Sequence, residues 1–402
     1  MKYKLYLKKK KRKKIFWFNG IIKVINILFI SSFLAYLIND SNNIFRISFE
    51  KEIENIEKYL ELCKNLDKKL NNFTKTFNNP KVSIISPIYN RGKYLLRFLK
   101  SIQYQNFNDI EIILIDDNST DNTTELIKKY KNIDNRIILI KNKKNCGTFK
   151  SRNIGILASS GEYSIIPDPD DILSQNSLKM FYAFATKNNY EMLRFNIYMG
   201  NNRTFLQSEI KKIKSRPVFR PEIQTYLYYA KGTLCYIDFN VSNKFIKREA
   251  LIKALNLLGK EYLNIYMTTS EDQLLNFILY RTVNSFYFLK KIGYYYIINQ
   301  QSITSKGFSL NNIKNLFIHL KFLFLLSKNN LFEKNMFNIL FRNNVIGRAI
   351  INKIKMVKEN DVGFFINTID LFLENEFVSI KNKNYMIDLR NKLYNIQRFS
   401  II

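Results

Sequence analysis

From Lys81 onward, short runs of apolar, β-branched residues alternate with longer stretches whose apolar positions recur every three or four residues. "KVSIISP" (Lys81–Pro87), "IEIILID" (Ile110–Asp116), "RIILIK" (Arg136–Lys141) and "YSII" (Tyr163–Ile166) have the length and composition of buried strands. Between them, "YLLRFLKSIQYQ" (Tyr94–Gln105), "STDNTTELIKKY" (Ser119–Tyr130) and "GTFKSRNIGILAS" (Gly147–Ser159) carry helical spacing. Strand, helix and strand repeating at about thirty residues predict a parallel α/β sheet with right-handed crossovers. Ligands of such sheets bind outside the carboxyl ends of the strands. Polar residues gather there: Tyr89-Asn90-Arg91 after the first strand, Asp116-Asp117-Asn118-Ser119 at the second, Asp168-Pro169-Asp170-Asp171 after the fourth.

Beyond Leu173 the pattern is less regular. "MLRFNIYM" (Met192–Met199) and "NSFYFLKKIGYYYII" (Asn284–Ile298) read as strands, and "EDQLLNFILY" (Glu271–Tyr280) reads as a helix. From about Leu310 the chain is mostly helical, aromatic and basic, as an appended helical domain would be.

The other end differs again. "KKKKRKK" (Lys8–Lys14) precedes an apolar stretch from Ile15 to Ile38, long enough to span a bilayer although Asn19, Lys23 and Asn26 interrupt it. The favoured reading is a basic cytosolic tail (1–14), a transmembrane signal anchor (15–38) and a stem (39–80) around "FEKEIENIEKYLELCKNLDKKL". An amphipathic or core helix is the alternative; a cleaved signal peptide fits less well, because no small-x-small site follows.

Composition narrows the function classes. At 402 residues, with 46% hydrophobic and 15% aromatic residues, the chain has material for a sizeable core. The net charge of +31 suits a nucleic acid or an anionic membrane. However, Lys, Asn and Ile saturate the whole chain, as A/T-rich codons would produce, and no nucleic-acid module is recognisable, so no nucleic-acid partner is expected. Cys63, Cys146 and Cys235 lack CxxC spacing and support neither a disulfide framework nor a zinc site. The single histidine, His319, excludes His-rich metal sites by counting, and its apolar helical setting reads as packed or half-buried, so Ser-His-Asp machinery is excluded too.

Three constellations carry candidate chemistry. In "EYSIIPDPDDIL", Asp168 and Asp170 stand two apart on a tight turn and can direct carboxylates to one point, as Mg²⁺ or Mn²⁺ requires. The other reading is a Pro-Asp turn in which Asp170 or Asp171 caps a helix at "ILSQNSLKMF". In "LIDDNSTDNT", Asp117 can accept hydrogen bonds from a base or ribose, or the segment can serve as a helix cap, the role assigned to Asp121. In "TTSEDQLL", Ser270 and Gln273 form a capping-box pattern, with Glu271 and Asp272 complementing the helix dipole; as a functional site, Asp272 would be a general base.

Taken together, "VSIISPIYNRGKYLLRFLKSIQYQ…IILIDDNSTDNTTELI…GTFKSRNIGILASSGEYSIIPDPDD" closely resembles the nucleotide-sugar domain of family 2 glycosyltransferases, from Lys81 to about Asn176 and more loosely to Thr304. The resemblance is to the non-processive type: the only tryptophan is Trp17, so the Gln-x-x-Arg-Trp motif of processive synthases is missing. It implies a GT-A (Rossmann-like) α/β fold, a mostly parallel sheet flanked by helices over 81–305, followed by a helical region over 306–402. It implies that Pro87, Tyr89, Asn90 and Arg91 border the nucleotide, that Asp117 contacts its base, and that Arg152 with Asn153 lies near the donor. It further implies Asp170 as ligand of Mn²⁺ or Mg²⁺, Asp168 nearer the ribose or the metal's waters, and Asp272 as catalytic base.

Lys244, in "SNKFIKREAL", matches a segment near the acceptor, with a solvated lysine as the alternative. "YYYIINQQSIT" matches a late loop of the family, with Ile297 where an Arg is usual. The implied reaction is inverting transfer of a sugar from a nucleotide-sugar donor, a UDP-sugar, to a glycan, lipid or protein acceptor. The basic cluster ahead of the apolar stretch would keep the N-terminus cytosolic, so the expected setting is a single-pass type II membrane protein facing the ER or Golgi lumen, or alternatively the cytosolic membrane face. A catalytically inactive nucleotide- or glycan-binding relative is the competing function. A nucleotidyltransferase fits less well, because "PIYNRGKY" lacks a Gly-rich phosphate loop.

Overall fold

The computed structural model describes residues 79–201, 204–206, 215–218, 240–297, 310–326, 331–341, 350, 357, 359–376 and 378–399. The chain divides into two units, Met1–Asp67 and Lys68–Ile402, and every described residue lies in the second. The expected tail (1–14), anchor (15–38) and nearly all of the stem (39–80) lie outside the described residues. Among the described residues, no helix is long and apolar enough to cross a membrane.

The alternating pattern forms as expected. Strands β1 (Val82–Ile88), β2 (Ile110–Asp116), β3 (Ile137–Lys141) and β4 (Tyr163–Ile165) are separated by helices α1 (Gly92–Gln103), α2 (Thr123–Lys131) and α3 (Thr148–Ala158). β1 and β2 are buried at every residue, which is why they read as continuous apolar runs rather than alternating ones. β2 and β4 flank β1 on either side and β3 pairs outside β2, all parallel. The chain therefore builds outward from β1 to β3, then returns to the opposite side of β1. That reversal lies between β1 and β4, the position where open α/β sheets form a ligand crevice.

Past β4 the expected mostly parallel sheet becomes mixed. Strands β5 (Ile172–Leu173), β6 (Met192–Asn201), β7 (Thr204–Leu206), β8 (Arg216–Pro217), β9 (Lys244–Lys247) and β10 (Phe286–Ile297) complete the order β3-β2-β1-β4-β9-β6-β10-β5, with β7 on β6 and β8 on β10. β9 pairs antiparallel with both β4 and β6, β5 pairs antiparallel with β10, and only β6–β10 is parallel.

Helix α3 packs one face of the sheet, and Gly155 sets how closely. A Cβ there would lie 2.4 Å from Ile85 Cγ2 and 2.6 Å from Ile115 Cδ1. The same core continues without a break through α5 (Arg248–Leu258), the short α6 (Lys260–Leu263), α7 (Glu271–Thr282) and α8 (Leu310–Leu326) to α9 (Leu331–Leu340), α10 (Glu359–Leu373) and α11 (Ile380–Phe399). Phe317 on Phe365 (5.1 Å) and Phe324 on Phe372 (4.9 Å) join the last helices to one another. The helical region is thus part of the sheet's own core, not an appended body. His319 is buried there, and burial pushes its imidazole down to about 4, as a packed residue's would be. The opposite face packs α1 and α4 (Ser177–Asn188) through Phe98 and Phe181.

Candidate active site

The β4–β5 turn is pinned from behind. Tyr294 on β10 donates its hydroxyl to Asp171 Oδ2 at 2.7 Å and accepts the Asp168 backbone N–H at 3.0 Å. The Ile297 N–H donates to Asp171 Oδ1 at 2.8 Å. Asp171 therefore fastens the turn to β10 rather than capping a helix. Residues 172–173 are strand, and α4 begins only at Ser177 after a left-handed Asn176, so neither Asp170 nor Asp171 is the cap. Burial holds the Asp171 carboxyl well above its usual range, with Asp168 and Asp170 adding to the effect.

The other two carboxylates face outward. Asp170 accepts Arg97 Nη2 at its backbone carbonyl (2.7 Å), and its Oδ2 lies 3.3 Å from Arg91 Nε. The Asp168 side chain keeps 37% of its surface exposed and sits 3.8 Å from Arg152 Nη2. Its carboxyl is pushed up to about 7 by burial, against the pull of Arg152, with Asp272 and Asp170 raising it further.

The loops after β1 and β2 interlock. Asn90 takes a left-handed backbone (φ +52°), accepts the Thr120 N–H at 2.8 Å, and donates its own N–H to Ser119 Oγ at 3.0 Å. Its side chain thus holds the two loops together. Pro87 is a buried strand residue opposite Ile115, whereas Tyr89 is 44% exposed at the crevice. Asp121 accepts from the N–H groups of Thr123 (3.0 Å) and Gly92 (3.2 Å), so it serves the starts of both α2 and α1.

Asp117 is buried, and its carboxylate gathers the loop before α3. Oδ1 accepts Asn142 Nδ2 (2.7 Å) and the Cys146 N–H (2.8 Å); Oδ2 accepts the Gly147 N–H (2.8 Å). Gly147 has φ +83°, and a Cβ there would meet the Met267 carbonyl at 2.9 Å. That close approach brings the segment before α7 against the start of α3, where Phe149 N–H donates to Met267 O at 3.1 Å.

Arg152, on α3 and only 2% exposed, closes the site. Its Nη1 lies 2.5 Å from Asp272 Oδ1 and 3.8 Å from Glu271 Oε1. Burial works against its charge, but Asp272, Glu271 and Asp168 outweigh that and hold its proton more tightly than usual. Glu271 is buried, and burial pushes its carboxyl up to about 8, with Asp272 adding and Arg152 opposing. Ser270 is left-handed (φ +63°) and makes no side-chain cap bond, so the expected capping box with Gln273 does not form. Strained backbone directly before Glu271 and Asp272 is the kind of cost that concentrates at working sites.

Two further expectations change. Lys244 is fully buried on β9, its ammonium bonded to the Asn240 carbonyl and to Asn243 Oδ1 (3.0 Å), so it is neither solvated nor presented to an acceptor. Asn153, beside Arg152, donates to the Leu263 carbonyl (3.2 Å) and serves packing of α3 on α6. The sequence reading missed Tyr294, Arg97 and the burial of Glu271. Tyr294 offered no signal, being one of three consecutive tyrosines that lies 123 residues from its partner.

Among the described residues, no three acidic, His or Cys side chains converge to cage a metal unaided. Asp168 and Asp170 supply the oxygen donors that a hard divalent cation takes, and such a cation would need ligand phosphates and water to complete its shell. Glu271 gives a separate prediction. Its raised value means the folded chain binds a proton that the unfolded chain releases, so stability is full at low pH and falls as pH rises through about 8. Glu271→Gln removes that loss: its unfolding free energy should exceed wild type by about 2 kcal/mol at pH 9 and by little at pH 4. Urea melts at both pH values check this; an equal difference at both would contradict it.

Residues 83–254 match the family model for Glycosyl transferase family 2. Glycosyltransferase GlyG of Streptococcus pneumoniae serotype 4 is 36% identical over 117 residues, covering 29% of this chain and 39% of GlyG. An uncharacterized glycosyltransferase of Haemophilus influenzae is 30% identical over 190 residues, 46% of this chain and 70% of that protein. The chain spans little more than a third of the length of the first curated relatives it matches, 39% and 36%. The crystal structure of Staphylococcus aureus TarS 1-349 in complex with UDP-GlcNAc superimposes with a TM-score of 0.55 at 22% identity, covering 80% of this chain and 91% of that one. The sequence matches and the superposition lead to one conclusion: the chain belongs to glycosyl transferase family 2 and has a GT-A-like mixed α/β fold.

Proposed function

We propose that this chain transfers a sugar from a UDP-sugar to an acceptor hydroxyl with inversion of configuration. The observation that carries the proposal is the position of Arg152, which joins Asp272 to the acidic turn although 120 residues separate it from Asp272. A base for the acceptor and a carboxylate pair for the donor thereby share one point at the sheet's reversal.

Each residue then has a task. The base of the nucleotide lies against Asp117, where three of about four carboxylate acceptor positions are filled and one on Oδ2 stays open. Uracil offers a single N–H between two carbonyls and suits one open position; guanine offers adjacent donors that ask for both oxygens. Arg91, beside Asp170, sits where it can meet a phosphate once that carboxylate has another partner. Bound at Asp170 and Asp168, Mn²⁺ or Mg²⁺ would neutralise charge developing on the departing diphosphate. The Asp272 side chain is 31% exposed, reachable by an acceptor hydroxyl whose proton it takes during attack on the anomeric carbon. Arg152 orients Asp272 through the oxygen it holds and leaves the other to the acceptor. A glycan, lipid or protein can supply the hydroxyl.

A screen of UDP- and GDP-sugars with Mn²⁺ or Mg²⁺ tests this reading, beginning with UDP-GlcNAc because TarS is seen with it. Turnover of a UDP-sugar, abolished by EDTA and lowered about a hundredfold or more in Asp170→Ala, is expected. A folded protein that binds UDP but turns over no donor would instead be a nucleotide-binding relative without activity.

A further inference from the structure

Tyr266 belongs to no motif, yet its position is unusual. It is 50% exposed, one of few large apolar side chains so open, and Tyr89 at 44% is another. Both stand beside Asp117. The Asp117 N–H donates to the Ile88 carbonyl at 2.8 Å, which brings Tyr89, the next residue, close to Asp117. Asp117 Oδ2 in turn holds the Gly147 N–H at 2.8 Å, and a Cβ at Gly147 would come within 3.2 Å of Tyr266 Cδ2. Gly147 therefore leaves room for the Tyr266 ring against the very loop that Asp117 grips. Burial raises the Tyr266 hydroxyl, and the charge of Asp117 and the neighbouring Tyr89 raise it further, in keeping with that closeness.

We propose that Tyr266 and Tyr89 are the two walls of an aromatic slot for a flat nucleobase, with Asp117 at its edge reading the base's N–H. The inference rests on the nucleotide-sugar reading and adds to it a residue from the segment before α7. The slot joins base recognition to the segment that carries Asp272, because Tyr266 and Asp272 are six residues apart across the strained Ser270. A bound base thereby orders the backbone on which the general base is mounted. Such stacking tolerates any base, so the slot supplies affinity while Asp117 supplies choice.

Calorimetric titration of the full chain with UDP and with inorganic diphosphate, in Mn²⁺, tests the slot. Tyr266→Ala should weaken UDP about tenfold to a hundredfold, the range expected for one lost stacking partner, while Tyr266→Phe binds as wild type. Diphosphate, which has no base, should bind equally to all three, whereas general damage to the site would weaken it too. If wild type binds UDP and Tyr266→Ala binds it equally well, the slot is wrong and the nucleotide-sugar reading stands. If wild type binds no nucleotide at all, both fall. If diphosphate weakens in parallel with UDP, Tyr266 acts only on the fold and the slot is again overturned.

Discussion

Asp272→Asn should lower turnover about a thousandfold or more and leave UDP affinity within about threefold of wild type. Asparagine keeps the size of aspartate, and its carbonyl oxygen can still accept from Arg152 Nη1, now 2.5 Å from Asp272 Oδ1. What it cannot do is take a proton. A positioned general base contributes about a hundred- to ten-thousandfold, and an acceptor hydroxyl is a poor nucleophile without one. In the proposed arrangement the donor is held elsewhere, by Asp117, Arg91 and the acidic turn, so binding should not follow activity down. Turnover assays paired with UDP titrations separate the two effects. Normal transfer by the variant would remove Asp272 from the mechanism and leave Glu271 as the carboxylate to examine.

Arg152→Met should unfold more easily than any other single change in the site. The guanidinium is 2% exposed and faces Asp272, Glu271 and Asp168; methionine fills much of its volume and supplies no charge. Removing one partner of a buried ionic cluster costs about 3–5 kcal/mol, and the partial exposure of Asp168 (37%) and Asp272 (31%) puts the expected loss at the low end, with Glu271 the carboxylate left buried. The cost depends on pH in a fixed direction. Without Arg152, carboxylates already raised to about 7 and about 8 rise further, so the variant keeps protons that its unfolded chain releases. Its deficit should be small at pH 5 and grow through neutrality. Arg152→Lys restores one charge but not the fork that reaches several carboxylates, and should fall between the two. Denaturant melts of all three proteins at pH 5 and pH 8 measure this; a deficit independent of pH would mean that packing, not charge, was lost. Transfer should drop as well, as Arg152 is a positioning residue for Asp272.

The first half of the fold was legible because β1, β2 and β4 are fully buried strands, β3 at the sheet edge keeps the same apolar composition, and amphipathic helices link them; burial on both faces writes itself as apolar runs. The places where candidate site residues gather were legible for a related reason: polar residues interrupt the apolar runs at the ends of β1, β2 and β4. The second half was not. β9 is four residues long and its antiparallel pairing depends on neighbours, not on its own pattern. Asp171 looked like a cap because local spacing is all a sequence displays, whereas Tyr294 reaches it from the neighbouring strand β10, 123 residues further along the chain. Lys244 read as lying near an acceptor or in solvent, whereas bonds to the Asn240 carbonyl and the Asn243 side chain make its burial tolerable. Ser270 matched a capping box letter by letter, but a left-handed backbone does not present its hydroxyl as a cap does.

One measurement reaches the centre of the account: the anomeric configuration of the product formed from an α-linked UDP-sugar, followed by proton NMR as it appears. A single displacement with Asp272 as base predicts a β-linked product, formed only with a divalent cation present. An α-linked product would contradict it, because retention requires a route that this arrangement of Asp272, Arg152 and the acidic turn does not provide.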